Sequence, residues 1–349
     1  MALHEVLERI RPSDERVAEE ARRRQAQHTK PPGSLGRLEA LGVQLAAIYG
    51  TVKPVIRGKG IAVFAADHGV MEAGVSAYPK AVTQQMVLNF LRGGAAVNAL
   101  ARTVGAELVV VDVGVDADFS DHPQLLAKKV RRGTKNMLTH PAMSEAEVLA
   151  AMTVGIETAQ ALMSGGATLL AGGEMGIGNT TAAAALTAVF TGKPVHEVTG
   201  RGTGLDDARL AHKVRVVETA LEKHQPDAAK PLEALARVGG LELAALTGFY
   251  LAVAARRVPV LLDGFIATAA ALVAVALAPP TRDYLIASHL SAEPGHAAQL
   301  ATLELKPLLD LEMRLGEGSG ALLTMPLAEG AARVLAEMAT FAEAGVAEG

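Results

Sequence analysis

A single carboxylate stands among three glycines in Arg314-Leu315-Gly316-Glu317-Gly318-Ser319-Gly320, close to the end of the 349-residue chain. Glycine has no Cβ, so such a loop reaches positive φ and lets a flat molecule lie against the main chain. A helix C-cap followed by a turn has the same composition. A ligand resting on the loop explains Glu317 better than packing does. A second acid in glycine company is Glu174, within Gly172-Gly173-Glu174-Met175-Gly176-Ile177-Gly178-Asn179-Thr180-Thr181. That stretch follows the short apolar run Ala167 to Ala171 and opens an alanine-rich helix, so unpaired N–H groups and the positive end of a helix dipole face any bound anion. Gly176, Gly178, Asn179 and Thr180 are therefore expected phosphate partners. The loop has no lysine ahead of its threonines, as a Walker A loop would, and is not the full dinucleotide fingerprint.

A further glycine cluster, Gly200-Arg201-Gly202-Thr203-Gly204-Leu205-Asp206-Asp207, precedes a helix carrying Lys213. Gly202, Thr203, Gly204 and Lys213 are expected to complete the phosphate site, with one of the two aspartates capping the helix. Acids also stand where strands end. Asp67-His68 follows Gly60 to Ala66, and open parallel sheets bind ligands beyond such ends; adjacent side chains on a strand point apart, so this pair reads as scaffolding. Asp263, after Val258 to Leu262, is expected to hold the hydroxyls of a ribose. Asp283 to Ser288 leads into His289-Leu290-Ser291-Ala292-Glu293-Pro294-Gly295-His296, whose spacing fits no zinc pattern; no metal is expected. Ser76, Tyr78, Gln85 and Met86, with Leu315, combine apolar bulk with polar tips, which suits an aromatic heterocycle; for Met86 ordinary core packing is the competing explanation.

The elements that must position these groups are legible. His4 to Gln27 has the periodicity of an amphipathic helix broken near Pro12. Lys30-Pro31-Pro32-Gly33-Ser34 reads as a turn, with Ser34 as cap of a helix whose buried stripe is Leu35, Leu38, Leu41, Leu45 and Ile48; binding by Lys30 or Ser34 stays open. Gly60 to Ala66, Glu107 to Val113, Ala167 to Ala171, Val258 to Leu262 and Asp283 to Ser288 read as buried strands. Ser144 and Glu147 form a capping box, Phe265 to Ala278 a buried helix, and Leu327 to Ala344 the closing helix. Helices at both ends and strand–helix units between them predict an α/β fold. The expected plan is a doubly wound, mainly parallel sheet in a large substrate-binding domain, residues 55–300. A small helical domain of residues 1–54 and 301–349 would contribute the Glu317 loop.

Composition narrows the function. The net charge of −4 with no long basic run argues against nucleic acid as partner, and with no cysteine there is no disulfide framework or thiolate metal site. Mean hydropathy is +0.26, yet the longest apolar run is too short to span a bilayer. The N-terminus has no signal-peptide core, so a cytoplasmic location without membrane contact is expected.

Taken together, the motifs resemble the nicotinate-nucleotide:dimethylbenzimidazole phosphoribosyltransferases through nearly the whole chain. The resemblance rests on Lys30-Pro31 with Gly33-Ser34-Leu35-Gly36, Ala66-Asp67-His68-Gly69-Val70, and Gly173-Glu174-Met175-Gly176 with Asn179-Thr180-Thr181. It continues through Pro259-Val260-Leu261-Leu262-Asp263-Gly264-Phe265, Ser288-His289-Leu290-Ser291-Ala292-Glu293 and Glu312 to Gly320. It implies transfer of 5-phosphoribose from nicotinate mononucleotide to 5,6-dimethylbenzimidazole, with inversion at C1′, by a homodimer without cofactor. It also implies that Glu317 is the catalytic base, that Glu174 lies near the base pocket, and that Ser291 belongs to the substrate site. The helix start after Glu174 is expected to favour its charge and lower its basicity, leaving Glu317 the better base. The residues around Ser76 to Met86 vary within the family and leave base preference open. Two other classes stand beside this reading: a dinucleotide-dependent oxidoreductase, which lacks the acid expected about twenty residues past its glycine loop, and a silent nucleotide sensor that would not need Glu317.

Overall fold

The computed structural model describes residues 2–347. Its centre is a sheet of β1 (Gly58–Ala66), β2 (Glu107–Gly114), β3 (Leu125–Ala127), β4 (Ala167–Met175), β5 (Val260–Leu262) and β6 (Leu285–Ala287). Spatial order is β3-β2-β1-β4-β5-β6, and every pairing is parallel. Both faces of β1 are buried, as its unbroken apolar run requires of a parallel strand. Ala62, Phe64 and Ala66 face one core, Ile61, Val63 and Ala65 the other. Helices Glu145–Ser164, Asn179–Thr191, Leu241–Ala255 and Phe265–Leu277 supply the first core. Arg37–Tyr49, Ala96–Val104 and Ser319–Glu337 supply the second. The sheet is thus wound on both sides, as the alternation of apolar runs and helical patterns predicts. The Leu241–Ala255 helix is buried on every side, which matches its lack of a polar face.

The terminal segments meet. Glu15–Gln27, Arg37–Tyr49 and Ser319–Glu337 enclose Val17, Ala21, Ala46 and Leu335, and His28 bridges Thr340. The inner two of these helices also lie on the sheet. Among the described residues no helix is long and apolar enough to cross a membrane.

Several boundaries differ from expectation, each for a local reason. β4 runs on to Met175 instead of stopping at Ala171, because Gly172, Gly173 and Glu174 stay in register with Ala62, Val63 and Phe64 of β1. Glu174 is therefore a strand residue. The helix after the double proline starts at Arg37 behind Gly36, and Ser34 does not cap it. The closing helix begins at Ser319, not Leu327, and ends at Glu337; a separate short helix covers Phe341–Ala344. Pro326, the natural place to start a helix, lies two turns inside it. β3 and the small pair β7 (His289–Leu290) and β8 (Leu309–Asp310) are too short for a sequence pattern to register.

The chain leaves β1 toward β2 and β3, then returns to β4 on the other side of β1. Strand order reverses there, and a crevice opens beyond the carboxyl ends of the strands. His68 follows β1, Gly176 follows β4 and Asp263 follows β5.

Candidate active site

A cavity of about 560 Å³ occupies this crevice. Its walls come from the strand ends and the glycine loops. Glu174, Gly176, Gly178, Asn179 and Thr180 arrive on β4 and the helix that follows it, Gly202 and Thr203 on their loop, and Glu317 with Leu315 on theirs. Asp263, Ser291, Tyr78 and Met86 also line it. Four expected residues do not. Gln85 is exposed one step round the helix from Met86. Ser76 stands behind Thr203, its Oγ 3.0 Å from Thr203 Oγ1. Gly204 is exposed, its N–H turned back to Arg201 O. Lys213 is 1% exposed; its Nζ donates to Thr180 Oγ1 at 2.8 Å and to Gly200 O at 3.2 Å, which puts the charge behind the wall rather than in it.

Glu174 and Glu317 both face the cavity from buried positions. Burial, with the charges of Asp263 and Glu242, pushes Glu174 up to about 8, against the Asn179 side chain, which donates to its Oε2. That corrects the expectation of lowered basicity. Glu174 lies at a strand end, buried and beside other acids, and these outweigh the helix that begins five residues later. Glu317 is pushed up to about 7, chiefly by burial and further by Asp263, with the Val97 backbone amide opposing. Its Oε2 is buried and has no hydrogen-bond partner among the described residues.

The Glu317 backbone sits at φ +62°, a conformation few non-glycine residues adopt. Two close approaches make it possible. A Cβ on Gly173 would come within 2.5 Å of Glu317 O, and one on Gly316 within 2.4 Å of Glu174 Oε1. The glycines expected to cradle a ligand thus also let the two acidic segments touch.

Asp263, expected as a ribose clamp, lines the cavity and is also engaged by backbone amides. Its Oδ2 accepts from Gly318 N at 3.0 Å, and its Oδ1 from Gly320 N at 2.8 Å and Ala321 N at 3.2 Å. Gly202 N–H, an expected phosphate donor, instead donates to Glu293 Oε1 at 2.9 Å. His68 and Asp67 are both buried and held by protein partners. His68 Nε2 lies 2.6 Å from Glu242 Oε1, both side chains fully buried; burial pulls the imidazole down, but the paired carboxylate outweighs it and holds His68 above its ordinary value. Asp67 Oδ2 accepts from Asp116 N at 2.8 Å.

Some lining residues escaped the sequence reading. Arg314, an exposed cation three residues before Glu317, donates to Gly202 O at 3.2 Å and joins two glycine loops at the cavity mouth. His289, Glu293 and Phe265, the last at the start of an apolar helix, also line the wall. His296 lies behind them: burial, then His289, lowers it to about 3, and its Nδ1 accepts from Ser291 N at 2.8 Å. Among the described residues no group of acids and histidines is arranged to hold a metal. Lys30 is buried against Glu39 at 2.7 Å, and Glu39 also accepts from Leu35 N, which makes the double-proline turn a braced one.

Known proteins match this chain over nearly its whole length. A family profile described as "Phosphoribosyltransferase" matches residues 10–346. The nicotinate-nucleotide–dimethylbenzimidazole phosphoribosyltransferase of Chloroflexus aggregans is 56% identical over 346 residues, covering 99% of this chain and 98% of its own. That of Geobacter sulfurreducens is 53% identical over 347 residues, covering 99% of each. The crystal structure of the Thermus thermophilus protein of the same name superposes with a TM-score of 0.92 at 52% identity, over 96% of this chain and 100% of that one.

Proposed function

The chain belongs to the nicotinate-nucleotide–dimethylbenzimidazole phosphoribosyltransferase family, and on that premise we propose that it moves 5-phosphoribose from nicotinate mononucleotide to 5,6-dimethylbenzimidazole, releasing nicotinate and α-ribazole 5′-phosphate. One observation carries the reading: Glu317 and Glu174 share a single cavity walled by glycine loops at the sheet's reversal point. The C1′–N bond to the pyridinium breaks with its electron pair going to nitrogen, so the ring nitrogen becomes neutral on departure and calls for no acid. A benzimidazole nitrogen forms the new C1′–N bond from the opposite face, and the ring's other nitrogen gives up its proton.

Glu317 is the group we assign to that proton. Both carboxyls are raised toward neutrality by burial and by the Asp263 charge, and Glu317 Oε2 is the buried oxygen left without a hydrogen-bond partner among the described residues, whereas Glu174 Oε2 is taken by Asn179. A catalytic base works best with its pKa near the operating pH. Bringing two flat rings to opposite faces of one ribose supplies much of the rate. The 5′-phosphate is assigned to the helix start at Gly176 to Thr180, with Lys213 contributing through Thr180. Ser291 is placed on the phosphoribosyl group, and Tyr78, Met86 and Leu315 on the benzimidazole. A homodimer and a cytoplasmic location belong to the same proposal, and sedimentation of the purified chain tests the former.

The test is incubation with nicotinate mononucleotide and dimethylbenzimidazole. Release of nicotinate that depends on both substrates supports the reading. No release, or release that requires a nicotinamide dinucleotide, refutes it.

A further inference from the structure

Building on the phosphoribosyl-transfer reading, we propose that Asp263 is a positioning residue: it caps the Ser319–Glu337 helix from another strand and thereby fixes the backbone from which Glu317 projects. A helix start leaves several N–H groups without partners. Usually the N-cap residue itself supplies an oxygen from a Ser, Thr, Asp or Asn side chain. Here the N-cap is Gly318, at φ +81°, with no side chain to offer. An ordinary capping residue would be strained in its place, by the positive φ and by a Cβ 2.4 Å from Ile61 Cδ1. The cap therefore has to come from elsewhere in the chain.

Asp263 provides it. Its two oxygens take the N–H groups of Gly318, Gly320 and Ala321 at 2.8–3.2 Å, and its side chain is almost wholly buried at 1% exposure. The positive end of the helix in turn steadies the buried carboxylate. On the other side of Glu317, Ser319 donates to Gly316 O from its N at 3.0 Å and its Oγ at 2.7 Å. Gly173 on β4 closes against Glu317 O. Glu317 thus occupies the one residue between a braced turn and a clamped helix start, and its left-handed φ is imposed from both ends.

The titratable groups that feel Asp263 come from several elements: Glu174 on β4, Tyr250 on the Leu241–Ala255 helix and Glu317 itself, with His289 on β7 packed beside the adjoining Gly264. The Asp263 charge raises Glu317, Glu174 and Tyr250. Clamp and field act together, one setting where Glu317 stands and the other keeping it basic.

Asp263→Asn separates this from ribose binding. The amide retains an acceptor for Gly320 and Ala321, but its NH₂ meets the Gly318 N–H, and the charge is gone. Expected is a fall in kcat of at least about tenfold, as for a misplaced catalytic group, with KM for the mononucleotide held within about threefold. The acid limb of the kcat–pH profile should move to lower pH. A KM raised tenfold or more with kcat kept would make Asp263 a ribose ligand, and unchanged kcat, KM and profile would deny it any role; either overturns the proposal. Hydrogen exchange on the wild-type protein needs neither a folded variant nor activity. The Gly318, Gly320 and Ala321 amides should be protected, and saturating nicotinate mononucleotide should leave them so; rapid exchange, or loss of protection on binding, would also overturn it. Failure of the wild type to release nicotinate would sink the function and not the clamp.

Discussion

At the scale of single residues, Lys213 shows how a side chain can serve a site it does not touch. Its ammonium is buried, lowered to about 8 by that burial against the opposing charge of Glu293, and bonded to Thr180 Oγ1 on the cavity wall. In the proposed complex Thr180 then faces the phosphate with a cation behind it. A charged hydrogen bond is worth roughly 1.5–3 kcal/mol, so Lys213→Ala is expected to raise KM for the mononucleotide about 10- to 100-fold while dimethylbenzimidazole binding by the free enzyme hardly changes. Titration calorimetry with each ligand checks this, and equal weakening of both would show a general collapse of the wall. The type and neighbourhood of this lysine were readable from the sequence. Its place behind Thr180 was not, because that depends on how two helices meet. The same holds for Asp263: an acid at a strand end is visible in the sequence, but the glycine cap that claims it lies 55 residues away.

At the scale of elements, the decisive contact is between β4 and the loop ahead of the Ser319–Glu337 helix. A methyl group on Gly173 would have to displace Glu317 O, which lies 2.5 Å from where it would stand. Gly173→Ala is expected to leave the sheet paired, since alanine is accepted in a strand, but to push the Glu317 loop outward. A shift of about 1 Å can cost about 100-fold in rate, so kcat should fall by 10- to 100-fold with little change in secondary structure by circular dichroism; full activity would show that the loop adjusts freely. The buried strands and amphipathic helices could be read from apolar periodicity, which reports burial. The end of β4 could not, because glycine and glutamate carry no strand signal and only pairing with β1 keeps them extended. The start of the closing helix was hidden likewise, by Pro326 and by a cap supplied from Asp263.

At the scale of the whole molecule, the site costs stability. Glu174 is raised in the folded protein from 4.5 to about 8, so folding favours its protonated form. Its contribution is fully present below about 4.5 and is lost as pH rises through about 8. Glu174→Gln lacks that loss, and its Tm relative to wild type should climb between pH 5 and pH 9; a difference independent of pH would mean that Glu174 titrates normally. The overall plan was legible because a doubly wound sheet announces itself in alternating strand and helix patterns, and ligand sites in such sheets gather where strand order reverses. What the sequence left out is the set of long-range contacts that turn glycine loops into one cavity. The central claim is that Glu317 takes the proton during transfer. The most direct measurement is the pH dependence of nicotinate release from nicotinate mononucleotide and dimethylbenzimidazole by wild type and Glu317→Gln. The wild-type kcat should rise through an apparent pKa of about 7. The variant should lose that limb and about 10²–10⁴ in kcat, with both KM values nearly kept. A Glu317→Gln enzyme that keeps both the rate and the limb would contradict the account.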